Sequence, residues 1–322
     1  MKTIYFFISI YFQLFLSMLK NRILSTLYFF DLQDYPLTLL ELHEFLVADL
    51  EQLKGSVDGQ GEIVVNGTKS KPEAPVSIDR ILQSLDIECL GEAENTLGFY
   101  HLPGRKALVA ARLDNYAFGL KREKLVKKYI NGLRHLPFIR GAALGGSQAL
   151  GLAKPTSDID LFIITDPRFL WLGRTLATIY FQILGVRRHG KKIANRFCLN
   201  HYLAGAKQLE QIKNLYSAME YARLRFLIYG RGIAAFQQNN FFWIGLCFPN
   251  WRPSIAGEET LSALQQRLEN LLTNKFGAWL EQKLKHWQLP RIKQQKFIIV
   301  EDDELSFHPD SKQEGLLRAF LN

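Results

Sequence analysis

A chain of 322 residues, 48% hydrophobic and 22% charged, is too apolar to stay disordered and long enough for two or three packed domains. Its formal charge of +9 suits an anionic partner, whether nucleotide, RNA, DNA or membrane lipid, and does not choose among them. Three widely spaced cysteines, Cys89, Cys198 and Cys247, exclude a zinc pattern and a disulfide framework and fit a reducing cytoplasm.

In chain order, Thr3 to Leu19 is an apolar segment, short for a membrane span and without a small-residue cleavage site after it. Met18-Leu-Lys-Asn-Arg22 reads as the true start, so residues 1–19 are set apart from the folded chain. A helix is expected from Arg22 to about Phe30, turned by Asp34-Tyr35-Pro36. Thr38 and Glu41 then have the spacing of a capping box for a helix from Leu39 to Leu50. A Gly-, Ser- and Lys-rich loop spans Gly55 to Ala74. Ser77 caps a third helix through Leu85, and the stretches on either side of Glu92 to Asn95 pair as a hairpin ending at Tyr100. Three helices and a hairpin make residues 20–104 winged-helix-like. With Arg80 alone as a base-reading candidate on the third helix, packing against the rest of the chain is its expected role.

Arg105 to Leu133 has helical periodicity with basic faces and feeds an apolar strand, Ile139 to Leu144. The strand runs into Gly145-Gly146-Ser147. Two glycines let backbone N–H groups approach a ligand, Ser147 adds a hydroxyl, and Gln148-Ala149-Leu150 opens a helix whose N-terminus favours phosphate. A second apolar strand follows, led by Asp158 and Asp160. Residues two apart on a strand share a face, so these carboxylates converge and call for a hard divalent cation, Mg²⁺ before Mn²⁺. A phosphate cradle beside a metal pair implies phosphoryl chemistry. From Pro167 to Leu209 the chain carries Arg168, Arg174, Arg187, Arg188, Lys191, Lys192, Arg196 and Lys207 and no acid, a block suited to a polyphosphate or nucleic-acid entrance. Further on, Ile212 to Tyr229 and Glu258 to Trp287 read as helices, the second ending at Pro290. Phe241, Phe242, Trp243, Phe248 and Trp251 read as core, and Glu301 to Glu304 as a solvated turn.

Apolar strand, Gly-Gly-Ser, short helical spacer and Asp-x-Asp on the next strand resemble the signature of the DNA polymerase β-type nucleotidyltransferase superfamily. The flanks are similar to bacterial proteins in which this domain follows a winged-helix-like segment, through Tyr28 to Thr38, Cys198 to Tyr202, Phe248 to Trp251 and Phe307 to Pro309. The resemblance implies that the turn at Gly145, Gly146 and Ser147 holds the triphosphate of a nucleotide and that Asp158 and Asp160 bind two Mg²⁺ ions. It also implies an α+β fold. A nucleotidyltransferase core of a short mixed sheet with helices, residues 105–210, lies between the winged-helix-like module and a mainly helical C-terminal domain, residues 211–322. The expected reaction is Mg²⁺-dependent transfer of a nucleoside monophosphate from a nucleoside triphosphate to a hydroxyl of a protein, an RNA or a small molecule. Nucleic acid is a further candidate partner, and a membrane is not expected.

The superfamily carries a third acid on a later strand. Here that strand is Arg196 to Leu203, whose alternation places Cys198, Asn200 and Tyr202 on one face and His201 on the other. The third-acid position thus falls on Asn200, which offers a neutral oxygen and accepts no proton. Glu210 and Glu220 are the downstream acids that could reach the site. The alternative reading is a catalytically impaired relative that binds nucleotide or nucleic acid as a regulatory module.

Overall fold

The protein is described here from a computed structural model, over residues 18–49, 71–207, 209, 213–230, 232–254, 260–294, 299–307 and 311–321. The segment before Met18, most of the loop expected from Gly55 to Ala74, and Glu210 lie outside the described residues.

Helix α1 is described over residues 18–31; β1 (Leu37–Thr38), α2 (Leu39–Glu44), α3 (Ile78–Ile87), β2 (Glu94–Thr96) and β3 (Phe99–His101) follow it. The small antiparallel sheet has the order β1-β3-β2. Thr38 and Glu41 form the expected capping box. Helix α2 nevertheless stops at Glu44, not Leu50. Residues 46–48 have no regular structure and are buried, with the Val47 N–H donating to Thr26 Oγ1 and the Ala48 N–H to the Cys247 carbonyl. The hairpin turns at Leu97-Gly98, both with positive φ, rather than within Glu92 to Asn95. Positive φ at two successive residues suits the twist of a tight hairpin, and the Gly98 N–H donates to Asn95 Oδ1.

The long helix α4 (Ala107–Leu133) delivers the chain to β4 (Ile139–Leu144). Next come α5 (Gly146–Ala149), a single turn, then β5 (Ile159–Thr165), α6 (Leu170–Ile183) and β6 (Phe197–Ala204). The stretch expected to be one helix from Ile212 to Tyr229 is split into α7 (Leu215–Ala222) and a strand, β7 (Arg225–Ile228). Asn214 starts α7 by accepting from the Ser217 N–H. Phe226 and Ile228 are both buried, one in each core across a register shift, so pairing with β4 wins over helix continuation.

Helix α8 (Ile233–Cys247) buries Trp243, while Phe248 and Trp251 beyond it are buried as expected; Phe242 is exposed. The last long helix is also two, α9 (Ala263–Leu272) and α10 (Lys275–Lys293). Asn274 breaks it by accepting from the Phe276 and Gly277 N–H groups, and Pro290 sits inside α10 rather than ending it, because Ile292 beyond it is held in the core. Strands β8 (Ile299–Val300) and β9 (Glu304–Ser306) and helix α11 (Ser311–Leu321) close the order.

The main sheet is mixed, with order β7-β4-β5-β6-β9-β8; β5 and β6 are parallel and the other pairs antiparallel. Three of its strands, β7, β8 and β9, come from beyond residue 210, so the sheet is not confined to residues 105–210. Along β5, Ile159, Leu161 and Ile163 enter one core, while Phe162 and Ile164 enter the other together with the N-terminal module. Alternation on a doubly buried strand leaves Asp160, at its rim, on the face of Phe162.

A buried ion cluster ties the module to the core. Glu41 accepts from Arg112 Nη2 at 2.6 Å, Arg223 Nη2 at 2.9 Å and Tyr35 Oη at 2.7 Å. Burial raises the Glu41 pKa, but the two guanidiniums and the Thr38 N–H more than offset this and hold it at about 2. A carboxyl with a depressed folded pKa adds stability that is present above its unfolded value, near 4.5, and lost as pH falls toward 2. Between pH 6 and pH 3 the wild type should therefore lose on the order of 2 kcal/mol more stability than Glu41→Gln. Urea unfolding at the two pH values tests this, and parallel losses in both proteins would refute it.

Candidate active site

The turn after β4 is built around Gly146. Its φ is +53°, and an added Cβ would fall well inside contact distance of Asp160 Oδ2. Glycine is thus required twice, once for the left-handed backbone and once because the carboxylate lies against its Cα. The Gly145 N–H donates to the Asp160 carbonyl at 3.0 Å, fastening the turn to the start of β5. The spacer helix α5 is a single turn, and the chain after it is held by the Leu152 N–H on the Ser147 carbonyl.

Asp158, Asp160 and Cys198 present ligand atoms within 4.8 Å of one another. Asp160 is half-buried with its carboxyl crowded by protein atoms, and burial, reinforced by the Asp158 charge, pushes its pKa up to about 6. Arg188 Nη1 lies 2.5 Å from Asp158 Oδ2 and 3.5 Å from Cys198 Sγ. Burial also pushes the Cys198 thiol up to about 12. From the other side Arg122, anchored by Gln148 Oε1 at 2.8 Å and the Ser157 carbonyl at 2.8 Å, adds positive charge near both aspartates.

Asn200 meets Asp160 directly, donating from Nδ2 to Oδ1 at 2.8 Å. The alternation expected on β6 is broken, however. Asp160 pairs with Cys198 but Phe162 pairs with His201, so three residues of β6 span two of β5. The extra residue turns His201 to the face of Asn200, and Tyr202 goes into the opposite core. His201 is buried against Phe162, with Nε2 3.0 Å from Glu304 Oε1 and Nδ1 3.3 Å from Tyr221 Oη. Glu304 is accordingly fully buried and not part of a solvated turn. Of the basic block, Arg188 reaches the aspartates. Arg174 turns in toward Gln288 and Tyr202, Arg168 pairs with Asp166, and Lys207 pairs with Asp303.

A cleft of about 790 Å³ opens over Gly146, Ser147, Asp158 and Asp160. Leu150 and Leu152 line it beside Tyr216 and Glu220 of α7, and Leu316 and Ala319 of α11 form the far wall. Glu220 also lines a smaller cavity of about 30 Å³ with Asp160 and Asn200. The sequence named Glu220 without placing it, because only the packing of α7 brings it to the sheet.

Glycine turn, carboxylate pair and cleft lie together on one α+β domain. Residues 126–198 match the nucleotidyltransferase domain family, and the chain carries that domain, consistent with the polymerase β-type nucleotidyltransferase superfamily. Comparison with curated proteins gave no match, and none was found among solved structures. Among the described residues, no helix is long and apolar enough to cross a membrane.

Proposed function

We propose that the protein is a Mg²⁺-dependent nucleotidyltransferase acting on a nucleoside triphosphate and a hydroxyl acceptor. The observation that carries this reading is the contact of the Gly146 turn with Asp160 at the floor of the cleft, beside Asp158. The donor set fits a divalent cation: two carboxylates converge, and Asp160 bears a desolvation cost that a cation relieves. Arg188 competes for Asp158, yet its side chain is 42% exposed, and such a pair is worth about 1 kcal/mol or less. Asp158 and Asp160 would hold Mg²⁺, or Mn²⁺, and when bound the metal supplies charge neutralisation on the phosphate oxygens.

In this reading the amides at Gly146 and Ser147 position the non-transferred phosphates, while that of Gly145, expected to join them, stays on the Asp160 carbonyl. Arg188, once released from Asp158, is free to face the polyphosphate. The acceptor hydroxyl gives up its proton, its oxygen bonds to the α-phosphorus, and pyrophosphate leaves with the electrons of the broken P–O bond. Glu220 is the carboxylate we assign to take that proton, since it lines both cavities that reach Asp160. Residues 20–104 take the role of a winged-helix-like packing module, a reading supported by the order helix, strand, two helices and hairpin. Incubating the protein with each labelled triphosphate, Mg²⁺ and a cell extract tests the proposal. Label that stays in free nucleotide throughout, from a protein shown to be folded, would sink it.

One observation favours the second reading, a nucleotide-binding relative with impaired chemistry: Asn200 donates to Asp160 where a third carboxylate would stand. The two readings separate on Asn200→Asp. In a working enzyme the amide holds Asp160 Oδ1, and an aspartate there places two anions in contact, so transfer should fall by about tenfold or more with Asp and with Ala alike. A gain in single-turnover transfer with Asp would instead mark the native site as impaired.

A further inference from the structure

Behind the glycine turn lies a second cavity, of about 110 Å³, where the module, α4 and β7 meet. Its lining includes Glu41, Arg112, Glu123, Arg223 and Arg225, and it abuts Gln148 to Gly151, the stretch that carries the turn into the loop. We propose that this cavity is a binding site for a small tetrahedral oxyanion of the phosphate class, separate from the aspartate cleft.

The charges around it are out of balance. Glu41 is shared between Arg112 and Arg223, and Glu123 is shared between Lys127, at 3.0 Å, and Arg225, at 3.5 Å. With Glu44 also adding its charge near Arg223, three carboxylates serve four cations. The Arg223 side chain is only 9% exposed, yet its Nη1 has no hydrogen-bond partner among the described residues, and the buried Arg225 Nη2 has only its ion pair with Glu123, at 3.5 Å. Buried guanidinium donors are rarely left unmet, because they lose hydration with nothing in return. A neutral acceptor satisfies a donor and leaves the excess charge, whereas an oxyanion answers both with charge-assisted bonds. The volume suits an anion of phosphate size, and Tyr116 and Leu120, both about half exposed, stand at its rim.

The test is calorimetric titration of the full chain with inorganic phosphate, in chelator and at constant ionic strength set with chloride. Arg225→Gln should weaken phosphate binding by about tenfold or more, while Arg188→Gln, at the aspartate pair, should leave it within about twofold. Should Arg225→Gln not fold, Leu120→Glu puts a repelling carboxylate at the exposed rim and should weaken binding in the same direction. No measurable phosphate binding by the wild type, unchanged affinity in the folded rim or Arg225 variant, or loss on Arg188→Gln alone would overturn the site. None of these outcomes depends on whether nucleotide is transferred.

Discussion

Asp160→Asn should abolish measurable nucleotide transfer and lower Mn²⁺ affinity by about 100-fold or more, while making the metal-free protein more stable at pH 7.5. The first two effects follow from removing one of two charged ligands from the proposed metal site. The third follows from the raised pKa of Asp160, about 6 against an ordinary 3.8. A carboxyl whose folded pKa is raised keeps its proton more tightly in the native state, so stability falls as pH climbs from about 4 to about 6 and the loss persists above. The uncharged amide escapes that cost, on the order of 1–2 kcal/mol once screening at the open cleft is allowed for, and its carbonyl still accepts from Asn200. Metal titration and thermal unfolding in chelator read the two halves separately. An identical Mn²⁺ isotherm in wild type and variant would remove Asp160 from the metal site. A lower melting temperature would mean that its carboxylate is a structural partner rather than a strained ligand.

Gly146→Val should come close to the same loss of transfer by a different route. A branched side chain at φ +53° is strained, and its Cβ meets the Asp160 carboxylate, so either the turn or the aspartate must move. Displacing both phosphate amides and a metal ligand predicts a fall in triphosphate affinity of about tenfold or more and in single-turnover rate of about 100-fold or more. Unlike Asp160→Asn, this change should also lower the melting temperature, since it adds strain without removing the buried charge. Calorimetry with a triphosphate on the folded variant checks it, and unchanged affinity would detach the turn from nucleotide binding.

Much of this site was legible in the sequence because its signals are local. Gly145-Gly146-Ser147 after an apolar run and Asp158-Ile159-Asp160 before another fix a turn and two strand faces through backbone sterics and alternation alone. The capping box at Thr38 and Glu41 was readable for the same reason. Other features were set by contacts distant in sequence. Residues 212–229 have helical periodicity throughout, but the open edge of β4 claims Arg225 to Ile228 as a strand. Glu304 looked like part of a solvated acidic run, and it is buried because β9 carries it to His201.

The chemistry on offer is written locally: two carboxylates, a glycine turn between apolar strands and an asparagine where a third acid is expected. How these groups meet depends on packing between distant segments. The extra residue in β6 brings Asn200 and His201 to one face, the packing of α7 carries Glu220 to the cleft, and burial of Asp160, reinforced by the Asp158 charge, raises its pKa. The physical reason is that side-chain type and backbone preference are written residue by residue, whereas desolvation and charge pairing depend on what the rest of the chain places alongside.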